Sequence, residues 1–65
     1  MKHAVVFRTI HVQPGRRNEV VHALLAHRDR SLRDEPGTLQ FEVLVPNDQP
    51  DQIILFELYS DTAAF

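Results

Sequence analysis

Few side chains in this sequence combine proton-exchanging or anion-holding chemistry with surroundings that make them unusual. Arg8 lies among Val6, Ile10 and Val12 on alternate positions of an apolar segment. A guanidinium on an apolar strand face needs an anionic partner, because burial of an unpaired charge is costly. Glu57 and Tyr59 share one face of a second apolar segment, Gln52 to Tyr59. A guanidinium can hold an anion, and a carboxylate or phenol can exchange a proton. If the two segments are neighbouring strands, Arg8 and Glu57 can pair as cross-strand charges do. Tyr59 then also reads as a core aromatic with its hydroxyl at the rim.

Other groups offer less. His3 and His11 are eight positions apart, roughly 26 Å along a strand, and cannot share an ion. His22 and His27 are five apart on a helix, a turn of about 140°, which departs from the i, i+4 spacing of paired helical ligands. No metal site is expected from these four histidines. Ser31 and Ser60 lack a nucleophile context, Gly15 and Gly37 form no phosphate loop, and no paired carboxylates stand out. The sequence contains no cysteine, which excludes disulfides, cysteine-ligated zinc or iron-sulfur clusters, and thiol nucleophiles.

The elements that must position these residues follow from periodicity. His3 to Val12 is rich in Val, Phe, Thr and Ile and ends at Gln13-Pro14-Gly15, a strand and its breaker, β1. Val21, Leu24, Leu25, Arg28 and Leu32 then trace one stripe of a helix, α1, which begins after Pro14-Gly15 and stops at Pro36-Gly37. Its arginines 28, 30 and 33 suit the helix dipole, whereas Arg16 and Arg17 at its start do not. Leu39, Phe41, Val43 and Val45 alternate with more polar neighbours as β2, and the turn formers Pro46 to Asp51 lead into β3, Gln52 to Tyr59. Ser60 or Asp61 can cap a further helix starting at Thr62.

A right-handed crossover would make β1 and β2 parallel, with β3 between them and antiparallel to both. This is an α+β, ferredoxin-like β-α-β-β unit with the start of a second helix, expected to be a single, incomplete domain over residues 1–65. Such a chain buries only about 60% of its unfolded surface, so a partner or further residues should help stabilise it. On β3, Ile53, Leu55 and Tyr59 face one way and Ile54, Phe56 and Leu58 the other. An apolar second face predicts a second cover, and hence a homodimer packed sheet against sheet. A net charge of −2, with seven Lys and Arg against nine Asp and Glu, gives no footprint for nucleic acid. No apolar run suggests a membrane span or signal peptide, so a cytoplasmic setting is expected.

The residues Glu35-Pro36-Gly37-Thr38-Leu39-Gln40-Phe41-Glu42-Val43, and after the loop Phe56-Glu57-Leu58-Tyr59-Ser60-Asp61-Thr62-Ala63-Ala64-Phe65, resemble the antibiotic biosynthesis monooxygenase family, including its quinol-oxidising members. Pro14-Gly15 before α1 fits as well. The resemblance runs over essentially this whole chain, roughly the N-terminal two-thirds of the expected domain. It implies a dimeric ferredoxin-like protein, the dimeric α/β-barrel arrangement, whose relatives oxygenate quinols or polyketide anthrones without metal or flavin. In that chemistry a phenol or enol is deprotonated and its anion reduces dioxygen directly.

The partners so implied are a small-molecule substrate and dioxygen, with no cofactor. The implied catalytic residues are Tyr59 and Arg8, as donors that polarise a bound oxygen, and Glu57, as a base or orienter. Where several relatives, including the haem-degrading branch, carry tryptophan at the end of β3, this sequence has Tyr59; where haem degraders carry asparagine on β1, it has Arg8. Haem degradation is disfavoured accordingly. Two other readings stay open: isomerisation of a phosphorylated dicarbonyl signal sugar, which would want more basic residues than Arg8 at the pocket mouth, and a non-catalytic dimeric module that binds small molecules.

Overall fold

A computed structural model of the chain describes residues 3–60. Its elements run β1 (Ala4–His11), α1 (Arg17–Asp34), β2 (Thr38–Leu44) and β3 (Gln52–Tyr59). The strands form one sheet in the order β1-β3-β2, with β3 antiparallel to both neighbours. β1 and β2 are therefore parallel to each other, and α1 is the crossover between them. This is the ferredoxin-like arrangement expected from the periodicity. The second helix expected from Thr62 lies outside the described residues.

Local chemistry accounts for the joints. Pro14 and Gly15 occupy the centre of a turn closed by the Arg16 N–H donating to the Gln13 carbonyl at 3.0 Å. Gly15 has φ +80°, the geometry that a type II turn demands of its third residue. The two arginines that oppose the dipole at the start of α1 are each engaged. Arg16 pairs with Glu19. The Arg17 guanidinium donates to the carbonyls of Pro46 and Gln49 at 3.2 and 3.0 Å, clamping the β2–β3 loop onto the helix.

The core is Phe41, Ile53 and Leu55, packed against Ile10, Val12, Val20, Val21, Leu24 and Val43. Two details differ from the sequence pattern. The helix is rolled so that Val20 and Ser31 turn inward, while Leu25 and Leu32 lie on the exposed side. In β2 the register shifts between Thr38 and Gln40, making Leu39 an extra residue against β3. A bulge of this kind breaks strict alternation. The inward side therefore reads Thr38, Phe41 and Val43, and both Leu39 and Val45 are exposed.

The position of α1 matters for the site. It lies over β2 and touches β3, yet none of its Cα atoms comes within 8 Å of one in β1. Between α1 and the inner side of β1 runs an open groove of about 540 Å³, lined in part by Ile10, Val12, Arg16, Val20 and Ala23. The other side of the sheet carries Val5, Phe7, Ile54, Phe56, Leu58 and Leu44, all exposed or half-buried. Phe7 and Phe56, directly opposite in register, meet edge to face at 5.1 Å.

Candidate functional site

The strand register brings together the three residues singled out from the sequence. On the inner side of β1 and β3, Ala4 lies opposite Tyr59, Val6 opposite Glu57 and Arg8 opposite Leu55. Arg8 is thus the diagonal neighbour of Glu57, a separation that a long side chain can bridge. It does so with one guanidinium nitrogen 2.8 Å from Oε2 of Glu57. The Tyr59 hydroxyl donates to Oε1 of the same carboxylate at 2.6 Å. These are the short distances of charge-assisted hydrogen bonds.

Accessibility is divided unevenly among the three. The Glu57 side chain is only 4% exposed and that of Arg8 is 60% exposed, with Tyr59 half-buried between them. The guanidinium is therefore the solvent-facing end of the ion pair and the carboxylate its buried end. The cluster has further neighbours. His27 of α1 stands edge-on to Phe41 at 5.6 Å, and Phe41 is opposite Glu57 in register, so the imidazole sits near the carboxylate. Thr38, opposite Tyr59, donates from its N–H to the Glu35 carbonyl at 2.9 Å and from its hydroxyl to the Glu35 carboxylate at 3.3 Å.

These surroundings set the ionisation of the cluster. Burial pushes the Glu57 carboxyl up, but the hydrogen bonds from Tyr59 and Arg8, with the charges of Arg8 and His27, outweigh it and hold the group below the usual carboxylate range. Tyr59 is pushed up to about 12, chiefly because its proton is donated to Glu57, with burial and the charges of Glu57 and Glu35 adding and Arg8 opposing. At neutral pH the arrangement is a carboxylate held between a guanidinium and a phenol.

The sequence pattern pointed to Arg8, Glu57 and Tyr59 but passed over His27, Glu35 and Thr38. His27 could have been found by drawing the helical stripe through Val20, Leu24, His27 and Ser31 rather than through Leu25 and Leu32. Among the described residues, no three His, Cys, Asp or Glu side chains are grouped so as to hold a metal ion.

Fold and cluster together define a ferredoxin-like sheet with a carboxylate-centred polar site on its helix-bearing side. The model of the antibiotic biosynthesis monooxygenase family matches residues 4–65, and the chain belongs to that family. A crystal structure from Bacteriodes thetaiotaomicron VPI-5482, of a protein provisionally assigned as an antibiotic biosynthesis monooxygenase, superposes with a TM-score of 0.84 at 29% identity. The match covers 95% of this chain and 59% of that one, so the present sequence spans rather less than two-thirds of the other protein's length. Among curated proteins, no relative matches.

Proposed function

We propose that this chain carries the substrate site of a monooxygenase that oxidises electron-rich phenols, of the quinol or polyketide aromatic kind, with dioxygen and without an added redox cofactor. Membership of the monooxygenase family supports the general activity. The observation that carries the assignment of the site is the buried Glu57 carboxylate holding Arg8 at 2.8 Å and Tyr59 at 2.6 Å on the inner side of the sheet.

Such a reaction needs a substrate anion stabilised away from bulk water. Arg8 supplies a fixed positive charge with further N–H donors beyond the one given to Glu57, in a place a ligand can reach. Glu57 orients it: an ion pair to a buried carboxylate removes the rotamer freedom that an exposed arginine otherwise keeps. Farther along β1 from Arg8, a groove lined by Ile10, Val12, Val20 and Ala23 together with His11, Gln13, Arg16 and Glu19 offers a partly apolar surface for a ring system.

We further propose that the protein works as a homodimer in the cytoplasm, packed through the sheet side opposite α1. Val5 is 53% and Phe7 67% exposed there, continuous with Ile54, Phe56 and Leu58, and an apolar sheet face of this kind calls for a cover. No helix among the described residues is long and apolar enough to cross a membrane.

Oxygen uptake with a panel of hydroquinones, by protein freed of added metal and flavin, tests the catalytic proposal. Uptake that depends on the protein and falls at least tenfold in Arg8→Gln is expected. Product formation that persists under strict anaerobiosis, or uptake indifferent to Arg8, would refute it.

A further inference from the structure

We infer that the groove between α1 and β1 binds a hydrophobic monocarboxylate, its apolar part lying on Ile10, Val12, Val20 and Ala23 and its carboxylate held by Arg16. The inference extends the use of this groove for a ring system. It does not depend on the oxygen chemistry proposed for the Arg8 cluster.

Two elements build the walls. Ile10 lies on the helix-bearing side of β1, and the N–H of Val12 donates to the Asp51 carbonyl at 2.9 Å, which carries the strand pairing one residue past His11. Alternation therefore puts Val12 on the same side as Ile10. On α1, Arg16, Val20 and Ala23 recur at i, i+4 and i+7, so they share one side of the helix. Because α1 lies over β2 and not over β1, the two apolar strips do not close on each other. They leave about 540 Å³ open between them, within the range of roughly 300–1,000 Å³ typical of small-molecule sites.

The charges lining the groove select the ligand. Arg16 and Glu19 both line it, and they pair through Nε of the guanidinium. Their side chains are 59% and 56% exposed, and an ion pair so exposed contributes little to stability. The pair leaves the two terminal nitrogens of Arg16, with their N–H donors, without a partner among the described residues. Arg16 also stands where the helix dipole disfavours a cation. Arg17 earns that position by clamping the β2–β3 loop, whereas the Arg16 side chain makes no bond to another element. A carboxylate beside Arg16 can take charge-assisted hydrogen bonds from the terminal nitrogens without breaking a buried contact. Glu19 is the one acidic residue lining the groove, and it opposes any anion there. A single negative charge suits this arrangement better than a dianion such as a phosphate monoester, on which the repulsion from Glu19 would double.

2-Naphthoate and its neutral isostere 2-naphthamide test the site. Each is titrated into the protein and followed by naphthalene fluorescence and by amide and methyl chemical shifts, with circular dichroism to check the fold of every variant. Naphthoate is expected to saturate with a Kd of about 1 mM, the scale for a ligand of this size. It should shift Ile10, Val12, Val20 and Ala23 and leave Val5 and Phe7, on the other side of the sheet, unmoved. Naphthamide should bind at least roughly fivefold more weakly, and Arg16→Gln should bring naphthoate down to the same level. Glu19→Gln should tighten naphthoate roughly threefold and leave naphthamide unchanged. A merely structural ion pair would not move the two variants in opposite directions.

Equal binding of acid and amide would overturn the inference, as would unchanged naphthoate affinity in Arg16→Gln or a Glu19→Gln variant that fails to bind it more tightly. So would shifts confined to the outer sheet side, or no saturation by about 10 mM. Oxygen uptake with hydroquinones is measured apart from these titrations. A protein that binds naphthoate as described and consumes no oxygen keeps the groove site and loses the monooxygenase reading, and the converse result removes the groove site alone.

Discussion

Replacing Glu57 with glutamine should return Tyr59 to the ionisation of an ordinary phenol. The wild-type hydroxyl is pushed up from 10.0 to about 12, first by its hydrogen bond to Glu57 and then by burial and the charges of Glu57 and Glu35. A glutamine keeps an acceptor oxygen but removes the charge at 2.6 Å. Most of the upward shift, about a hundredfold in proton affinity, should vanish. The readout is unusually clean, because Tyr59 is the one tyrosine in a sequence with no tryptophan, and tyrosinate absorbance reports this group alone. The sign of the stability effect follows from the direction of the shift. The folded state favours the neutral phenol, so the contribution is complete below the unfolded value of about 10 and is lost as pH rises through 10 to about 12. Titration must be followed together with backbone circular dichroism, since an unfolded chain would ionise near the lower value for trivial reasons. A wild-type midpoint near 10 with the fold intact, or an upshifted midpoint unchanged in Glu57→Gln, would refute the reasoning.

The same cluster predicts an acid limb. Glu57 is held below its usual range, so its stabilisation is present above the unfolded carboxyl value and disappears as pH falls through the folded one. Denaturant midpoints of wild type and Glu57→Gln should therefore converge in acid and separate toward neutrality; parallel curves would show that the ion pair contributes nothing. Arg17→Ala removes two bonds to loop carbonyls and should cost about 1–2 kcal/mol in urea denaturation, after discounting a partly exposed donor, with loss of amide protection in residues 46–51; a loss under about 0.3 kcal/mol would mean the clamp is idle. If the proposed sheet-face dimer forms, Phe56→Asp or Ile54→Asp should raise its dissociation constant at least tenfold by sedimentation, as a charge forced into an apolar interface must, and a self-association indifferent to both would remove that proposal.

The fold was legible in the sequence because two different periods are written plainly into it. β2 carries the period of two, and β3 is a near-continuous run of strand formers whose observed limits coincide with the expected Gln52 to Tyr59. Where the reading slipped, tertiary packing overrode a local pattern. Leu39 looked like the first inward residue of β2, but the bulge gives that role to buried Thr38. Leu25 and Leu32 looked like the core stripe, yet the helix turns Ser31 and His27 toward the sheet, so that His27 stands over Phe41. No one-dimensional pattern ranks a serine above a leucine for burial. The Arg8–Glu57 pairing was inferable from chemistry, an arginine among apolar residues needing an anion, whereas the hydrogen bond donated by Tyr59 to that same anion required the structure.

That shared anion raises the question of why a carboxylate occupies the sheet interior at all. Glu57 lies opposite Val6 on one side and Phe41 on the other, surroundings in which a leucine or methionine would pack without desolvation cost. Replacing a buried ionic group by apolar residues of similar volume is often neutral or stabilising, while removing one partner alone leaves a stranded charge. Stability therefore gives little reason for the Arg8–Glu57–Tyr59 arrangement, and a triple change to apolar residues should keep the fold. What the ionic version provides and the apolar one cannot is a solvent-facing guanidinium held in place by a buried carboxylate. Perturbed ionisation of this kind concentrates where protons are moved. A stable Arg8→Met, Glu57→Leu, Tyr59→Phe protein that no longer consumes oxygen with any hydroquinone would place the cluster in the chemistry. If that variant kept its activity, the cluster would be a structural ion pair and the reacting groups would have to be sought elsewhere in the assembled protein.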